Sequence, residues 1–162
     1  MPGRGTLARP FARASGWPPA GAALGRLVLA LLLALPGTAA AECLLNIVNV
    51  SFGAYDTLSL ADTDITGSIT ISCDAETSLQ MSLSAGFGSF TMRQMKSGGG
   101  TLLYNLFTDP SRITIWGDGS PGTGLLSLSG TGGTYTVYGR IPARQNVPVS
   151  TYGDTITVTL TF

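Results

Sequence analysis

Between Cys43 and Phe162, apolar and polar residues alternate in short runs. The clearest run is Thr155-Ile-Thr-Val-Thr-Leu-Thr-Phe162, which places Ile156, Val158, Leu160 and Phe162 on one face and threonines on the other. A period of two marks a strand with one buried face. Ile65-Thr-Gly-Ser-Ile-Thr-Ile-Ser-Cys73 repeats the pattern, and Leu79-Gln-Met-Ser-Leu83 repeats it again. The alternation predicts strands over 43–52, 65–73, 79–85, 101–108, 112–116, 125–129, 134–141 and 155–162. Thr, Val, Ile and Tyr dominate them, as strands prefer. No helical stripe competes. The Gly-rich stretches Gly98-Gly-Gly100, Gly117-Asp-Gly-Ser-Pro-Gly-Thr-Gly124 and Gly130-Thr-Gly-Gly133 read as turns or loops. The fold class is therefore all-β, a sandwich of short strands. No partner strand follows Phe162 in the sequence, so the last strand either finds neighbours on both sides within the fold or leaves a raw sheet edge for another chain.

The first 41 residues have another character. Arg4, Arg9, Arg13 and Arg26 occur there without an acid, then the apolar run Leu27-Val-Leu-Ala-Leu-Leu-Leu-Ala-Leu35, then Pro36, Gly37 and Thr38-Ala-Ala-Ala41. These are the n-region, h-region and cleavage site of a secretory signal peptide. The run is too short for a membrane anchor, so no stable span is expected after cleavage. The expected division is an export leader over 1–41 and one domain over 42–162. Removing the leader changes the charge. All nine acids remain but only Arg93, Lys96, Arg112, Arg140 and Arg144 of the nine bases, which leaves no basic surface for nucleic acid. An exported chain with two cysteines, Cys43 and Cys73, most simply has one disulfide. That bridge would pin the first two strands antiparallel. Leu45 and Ile47 would then face inward with Cys43, and Leu44, Asn46 and Val48 outward.

Candidate chemistry is thin. The chain has no histidine, hence neither the commonest general base nor the commonest metal ligand. No cofactor, metal or enzyme activity is expected. Asp62-Thr-Asp64 and Asp74-Ala-Glu76 fit turn caps better than paired catalytic carboxylates. Arg93, Arg112 and Arg140 invite ion pairs with Asp109 or Asp118. Trp116, Tyr104, Phe107 and Tyr138 fit a sandwich core better than a sugar-binding platform, and Asp118 fits a turn; Trp116, which abuts a Gly-rich loop, is the best exception and with Asp118 marks the candidate ligand surface. Tyr152 fits a tyrosine that ties a sandwich corner to nearby backbone.

Met92-Arg-Gln-Met95, Leu103-Tyr-Asn-Leu-Phe-Thr-Asp109, Arg112 and Ile115-Trp-Gly-Asp-Gly119 together resemble the spore coat protein U domain. Tyr138-Gly-Arg-Ile-Pro142 and Tyr152-Gly-Asp154 fit the same family, so the resemblance runs from Cys43 to Phe162. It implies a subunit of an archaic, Csu-type chaperone–usher pilus, with an immunoglobulin-like sandwich that lacks its last strand. A periplasmic chaperone fills that gap first, and the N-terminal extension of the next pilus subunit replaces it after passage to the outer-membrane usher. The groove would be lined by Leu45 and Ile47 on one side and Ile156, Val158, Leu160 and Phe162 on the other. One departure stands out. Gly37-Thr-Ala-Ala-Ala-Glu42 lacks the alternating large apolar residues of a donor segment. The subunit is thus expected to accept a strand without giving one, the property of a fibre tip. Two other readings stay open. One is a self-contained carbohydrate-binding or adhesive module; the other is an outer coat or matrix protein assembled through edge strands.

Overall fold

The computed structural model describes residues 41–162; the leader expected over 1–41 lies outside the described residues except for Ala41. Nine strands follow in order: β1 (Cys43–Val48), β2 (Thr63–Leu83), β3 (Phe87–Gly88), β4 (Arg93–Ser97), β5 (Gly100–Phe107), β6 (Ile115–Trp116), β7 (Thr123–Gly124), β8 (Leu126–Ile141) and β9 (Val158–Thr161). No helix occurs among the described residues. The strands are hydrogen-bonded in the order β1-β2-β8-β5-β4-β3, with β9 beside β2 and the β6–β7 pair beside β5. All pairings are antiparallel except β6–β7. The result is the all-β sandwich that the alternation predicts, of the immunoglobulin-like kind that the resemblance implies.

Two long strands organise it. The segments 65–73 and 79–85 are not separate strands but parts of the 21-residue β2. The polar stretch between them is a bulge, where the register with β8 shifts between Ser72 and Thr77. The segments 125–129 and 134–141 likewise merge into β8. Gly130 and Gly132 have φ of 105° and 115°, so they curve the strand without ending it. At Gly132 a Cβ would fall 2.1 Å from the Ile71 carbonyl oxygen, which excludes every other residue. Paired bulges of this kind let one strand bend from one layer into the next.

The layers close on a single core. Ile69, Ile71, Leu79, Met81 and Leu83 of β2 meet Leu102, Tyr104 and Leu106 of β5, Val137 and Ile141 of β8, and Trp116. The odd positions of β2 supply the buried set, as a period of two requires. The sheet's far end returns to its beginning. The Leu83 amide donates to the Gly117 carbonyl, and Lys96 of β4 pairs with Gly153 ahead of β9.

Other boundaries differ from the sequence reading. β4 is a strand that alternation did not single out, because its single buried residue is Arg93. The strand expected over 112–116 shrinks to β6: Arg112 has φ of 56°, and the Asp109 carboxylate binds the amides of Ile113 and Thr114, making a turn. β1 stops at Val48 rather than at 52, and β9 starts at Val158 rather than at 155.

Candidate functional site: a cleft between the first and last strands

β8 occupies one edge of β2 along nearly its whole length. The other edge is shared: β1 pairs with residues 68–73 and β9 with residues 80–83. Between β1 and β9 opens a cleft of about 510 Å³. Ile47, Val50 and Phe52 line it on the β1 side, and Tyr152, Ile156 and Val158 on the β9 side. Its floor is core: Ile69, Leu83, Tyr104, Leu106 and Val137. A second hollow continues past Val50, Phe52, Met95 and Tyr152, which line both.

The β1 wall is shaped by missing side chains. Gly67 and Gly139 lie on the neighbouring strands β2 and β8. A Cβ at Gly67 would meet Val50 at 2.8 Å, and one at Gly139 would meet Phe52 at 2.8 Å. These two glycines make room for Val50 and Phe52 to turn inward, where Phe52 meets Tyr104 edge to face at 5.9 Å. On the opposite wall, the Tyr104 hydroxyl donates to Asp154 Oδ2 at 2.7 Å. Asp154 Oδ1 also accepts from the Phe87 amide at 3.0 Å and the Thr155 amide at 2.7 Å. Burial, with the hydrogen bond to Asp154 adding to it, raises the Tyr104 pKa well above the phenol range. Tyr104 therefore stays a donor and anchors the start of the last segment.

Of the residues that the sequence reading assigned to the groove, the structure brings Ile47, Ile156 and Val158 around one cleft. Leu45 and Ile47 pair across from buried Ile71 and Ile69, yet are 40% and 45% exposed. Inner-face residues this open lack a covering layer. Leu160 packs on the core beside the cleft rather than in it. Phe162 does not join them: it is 66% exposed and lies by Leu79 and Leu128 at a separate hollow. Cys43 and Cys73 are bonded to each other and sit directly opposite in the β1–β2 register.

The ligand surface expected at Trp116 is not there. Trp116 has no exposed surface, and its Nε1 donates to the Met81 carbonyl at 3.1 Å. A side chain used wholly as core offers nothing to a ligand. Asp118 is exposed and caps its own turn through the Ser120 amide. Ser120, through its side chain first, holds the Asp118 pKa below the usual carboxylate range. The arginine partners also differ. Arg140 binds Asp64 at 2.7 Å and Asp62 at 3.4 Å, and Arg112 binds Asp64 at 3.2 Å. Among the described residues, Arg93 forms no salt bridge with an acid. It is fully buried and donates to the carbonyls of Ser84 and Trp116 and to Asn105 Oδ1. Sequence reasoning missed this hub. Alternation carried no signal for it, since Met92-Arg-Gln-Met95 does not follow a period of two.

The spore coat protein U domain matches residues 29–159. The chain belongs to that family. Protein U of Myxococcus xanthus is 34% identical to it over 128 residues, covering 70% of this chain and 71% of that protein. A solved structure shares the fold with a TM-score of 0.57 and 25% identity, over 76% of this chain. It is a chain in the crystal structure of the CsuC–CsuE chaperone–tip adhesion subunit pre-assembly complex from archaic chaperone–usher Csu pili of Acinetobacter baumannii. This spore coat protein U chain spans 40% of that chain's length.

Proposed function

We propose that this chain is an exported structural subunit of a chaperone–usher surface pilus, and that the cleft between β1 and β9 receives an extended strand. A periplasmic chaperone supplies that strand first and a neighbouring subunit replaces it. The observation that carries the reading is the cleft itself, apolar to its floor and flanked by two strands that each pair only with β2 among the described residues. An open apolar slot between two unpaired edges is what β-strand addition needs. Family membership and the likeness to a chaperone–subunit complex support it. Each apolar side chain that a strand buried there would contribute roughly 1.5–3 kcal/mol before ordering costs.

The segment between the apolar run and Cys43 has no alternating large residues. This supports a place at the fibre tip, where a subunit receives a strand and donates none. Export would follow cleavage of the leader over 1–41.

Expression of residues 42–162 alone and beside a candidate periplasmic pilus chaperone tests the reading. The expected result is an aggregation-prone lone chain and a soluble one-to-one complex. Ile156→Asp with Val158→Asp should lower complex yield by roughly tenfold or more, since each charge would enter the apolar slot. A lone chain that is monomeric and melts cooperatively at the temperature of the complex would overturn it.

A further inference from the structure

The apolar run and Ala39-Ala-Ala41 put the expected leader cleavage between Ala41 and Glu42. The bond broken there is the one made by the Glu42 nitrogen. In the structure that nitrogen is already engaged. It donates to Asp74 Oδ1 at 2.9 Å, and the Asp74 amide donates back to the Glu42 carbonyl at 3.1 Å. The pair continues the β1–β2 register one step beyond Cys43 and Cys73, whose disulfide holds both strands in place. The atom that cleavage would free as an amine is thus seated on a carboxylate.

That carboxylate has no cation of its own. Among the described residues, no lysine or arginine forms a salt bridge with Asp74, because Arg112 and Arg140 are taken by Asp62 and Asp64. Asp74 stands on the bulge of β2 with Glu76 two residues on, and Glu42 brings a third carboxylate. All three residues are exposed. The facing stretch of β8, Gly130-Thr-Gly-Gly133, has no ionisable group. An amide at Glu42 offers this acidic corner one neutral donor. An ammonium offers it a full positive charge, and a hydrogen bond between ions is the stronger. Little ordering is needed, since the disulfide and the Asp74 amide already fix the residue that bears the amine.

We propose that removal of the leader is a folding event as well as a processing one: the new α-ammonium of Glu42 docks on the Asp74 carboxylate and clamps the first residue of the mature chain to β2. The N-terminus is then a built part of the domain and not a free end. A chain cut elsewhere, or still carrying its leader, keeps the disulfide but has a neutral amide at this position. An acid partner raises the amine above its ordinary pKa of about 7.7–8.0. On the alkaline side the clamp is therefore complete below that range and fades as pH rises through the raised value. The inference rests on the leader cleavage proposed above, not on what fills the cleft.

The test exports the full-length chain together with a candidate periplasmic pilus chaperone and reads the mature N-terminus by mass spectrometry. Trace acetylation from pH 6 to 10 then follows the amine in the N-terminal peptide, with Lys96, the sole lysine, as internal reference. The expected chain starts at Glu42. At pH 7 its α-amine should acetylate about 3–10-fold more slowly than in Asp74→Asn, as a pKa raised by about half a unit to one unit requires. That variant keeps the acceptor oxygen and removes only the charge. Glu76→Gln, on the same bulge, should leave the rate within about twofold. A start at another residue would overturn the cleavage and the clamp together and leave the strand-accepting function standing. A start at Glu42 with equal rates in wild type and Asp74→Asn would overturn the clamp alone. An equal rise in Asp74→Asn and Glu76→Gln would show a diffuse acidic field in place of one paired carboxylate, and would overturn it too. If no complex forms, the strand-accepting function fails, and the same rates measured on the exported chain by itself decide the clamp.

Discussion

Arg93 shows how one side chain can hold several elements. Its guanidinium ties the end of β2, through Ser84, to Asn105 on β5 and the Trp116 carbonyl on β6, and it lies over the Phe90 ring at 5.6 Å. Arg93→Met leaves those acceptors buried without a donor. A loss of roughly 3–5 kcal/mol is expected in urea unfolding of the strand-completed chain. Arg93→Lys should recover only part of it, because a compact ammonium cannot fork to several acceptors. Asp64 sets a dependence on pH. The hydrogen bond from Arg140, helped by the charges of Arg112 and Arg140, holds its pKa below the usual carboxylate value. A depressed acid stabilises the fold above its unfolded pKa of about 3.9 and loses that contribution as pH falls through the folded value. The melting temperatures of wild type and Asp64→Asn should therefore differ at pH 6 and converge toward pH 2. A gap that persists at pH 2 would point to packing instead of charge.

At the scale of elements, alternation read the strands well where one face is buried, and read their ends poorly. β2 and β8 each appear in the sequence as two strands, because Asp74-Ala-Glu76 and Gly130-Thr-Gly-Gly133 have the composition of turns. Only the pairing of the two long strands turns those stretches into bulges, and pairing is not a local property. The site was legible in the same partial way. The facing of Ile47, Ile156 and Val158 follows from period and pairing and their place in one groove from the family resemblance, whereas Val50 and Phe52 reach the cleft because two glycines on other strands clear the floor. Trp116 was misread because a tryptophan next to a Gly-rich loop looks the same in sequence whether it faces the loop or the core. The disulfide belongs to this scale as well. It closes a separation of 30 residues, and replacing Cys43 and Cys73 by serine should cost about 3–4 kcal/mol on loop entropy. Denaturant midpoints with and without reductant would measure it.

For the whole molecule, the unusual property is a core that remains open along one side. Ile69, Leu83, Leu106 and Val137 are buried, yet they form the floor of a slot whose walls pair with nothing else among the described residues. Such a chain has reason to aggregate until the slot is filled. The other end of β1 is built differently. Glu42 and Asp74 are bonded twice, amide to carboxylate and amide to carbonyl, beside the Cys43–Cys73 bridge. Tension applied to the chain where it enters at Glu42 meets a covalent stop within one residue. The load passes straight into β2, which runs through both layers, instead of peeling β1 from its partner. A pull from that side would have to break the molecule as a unit.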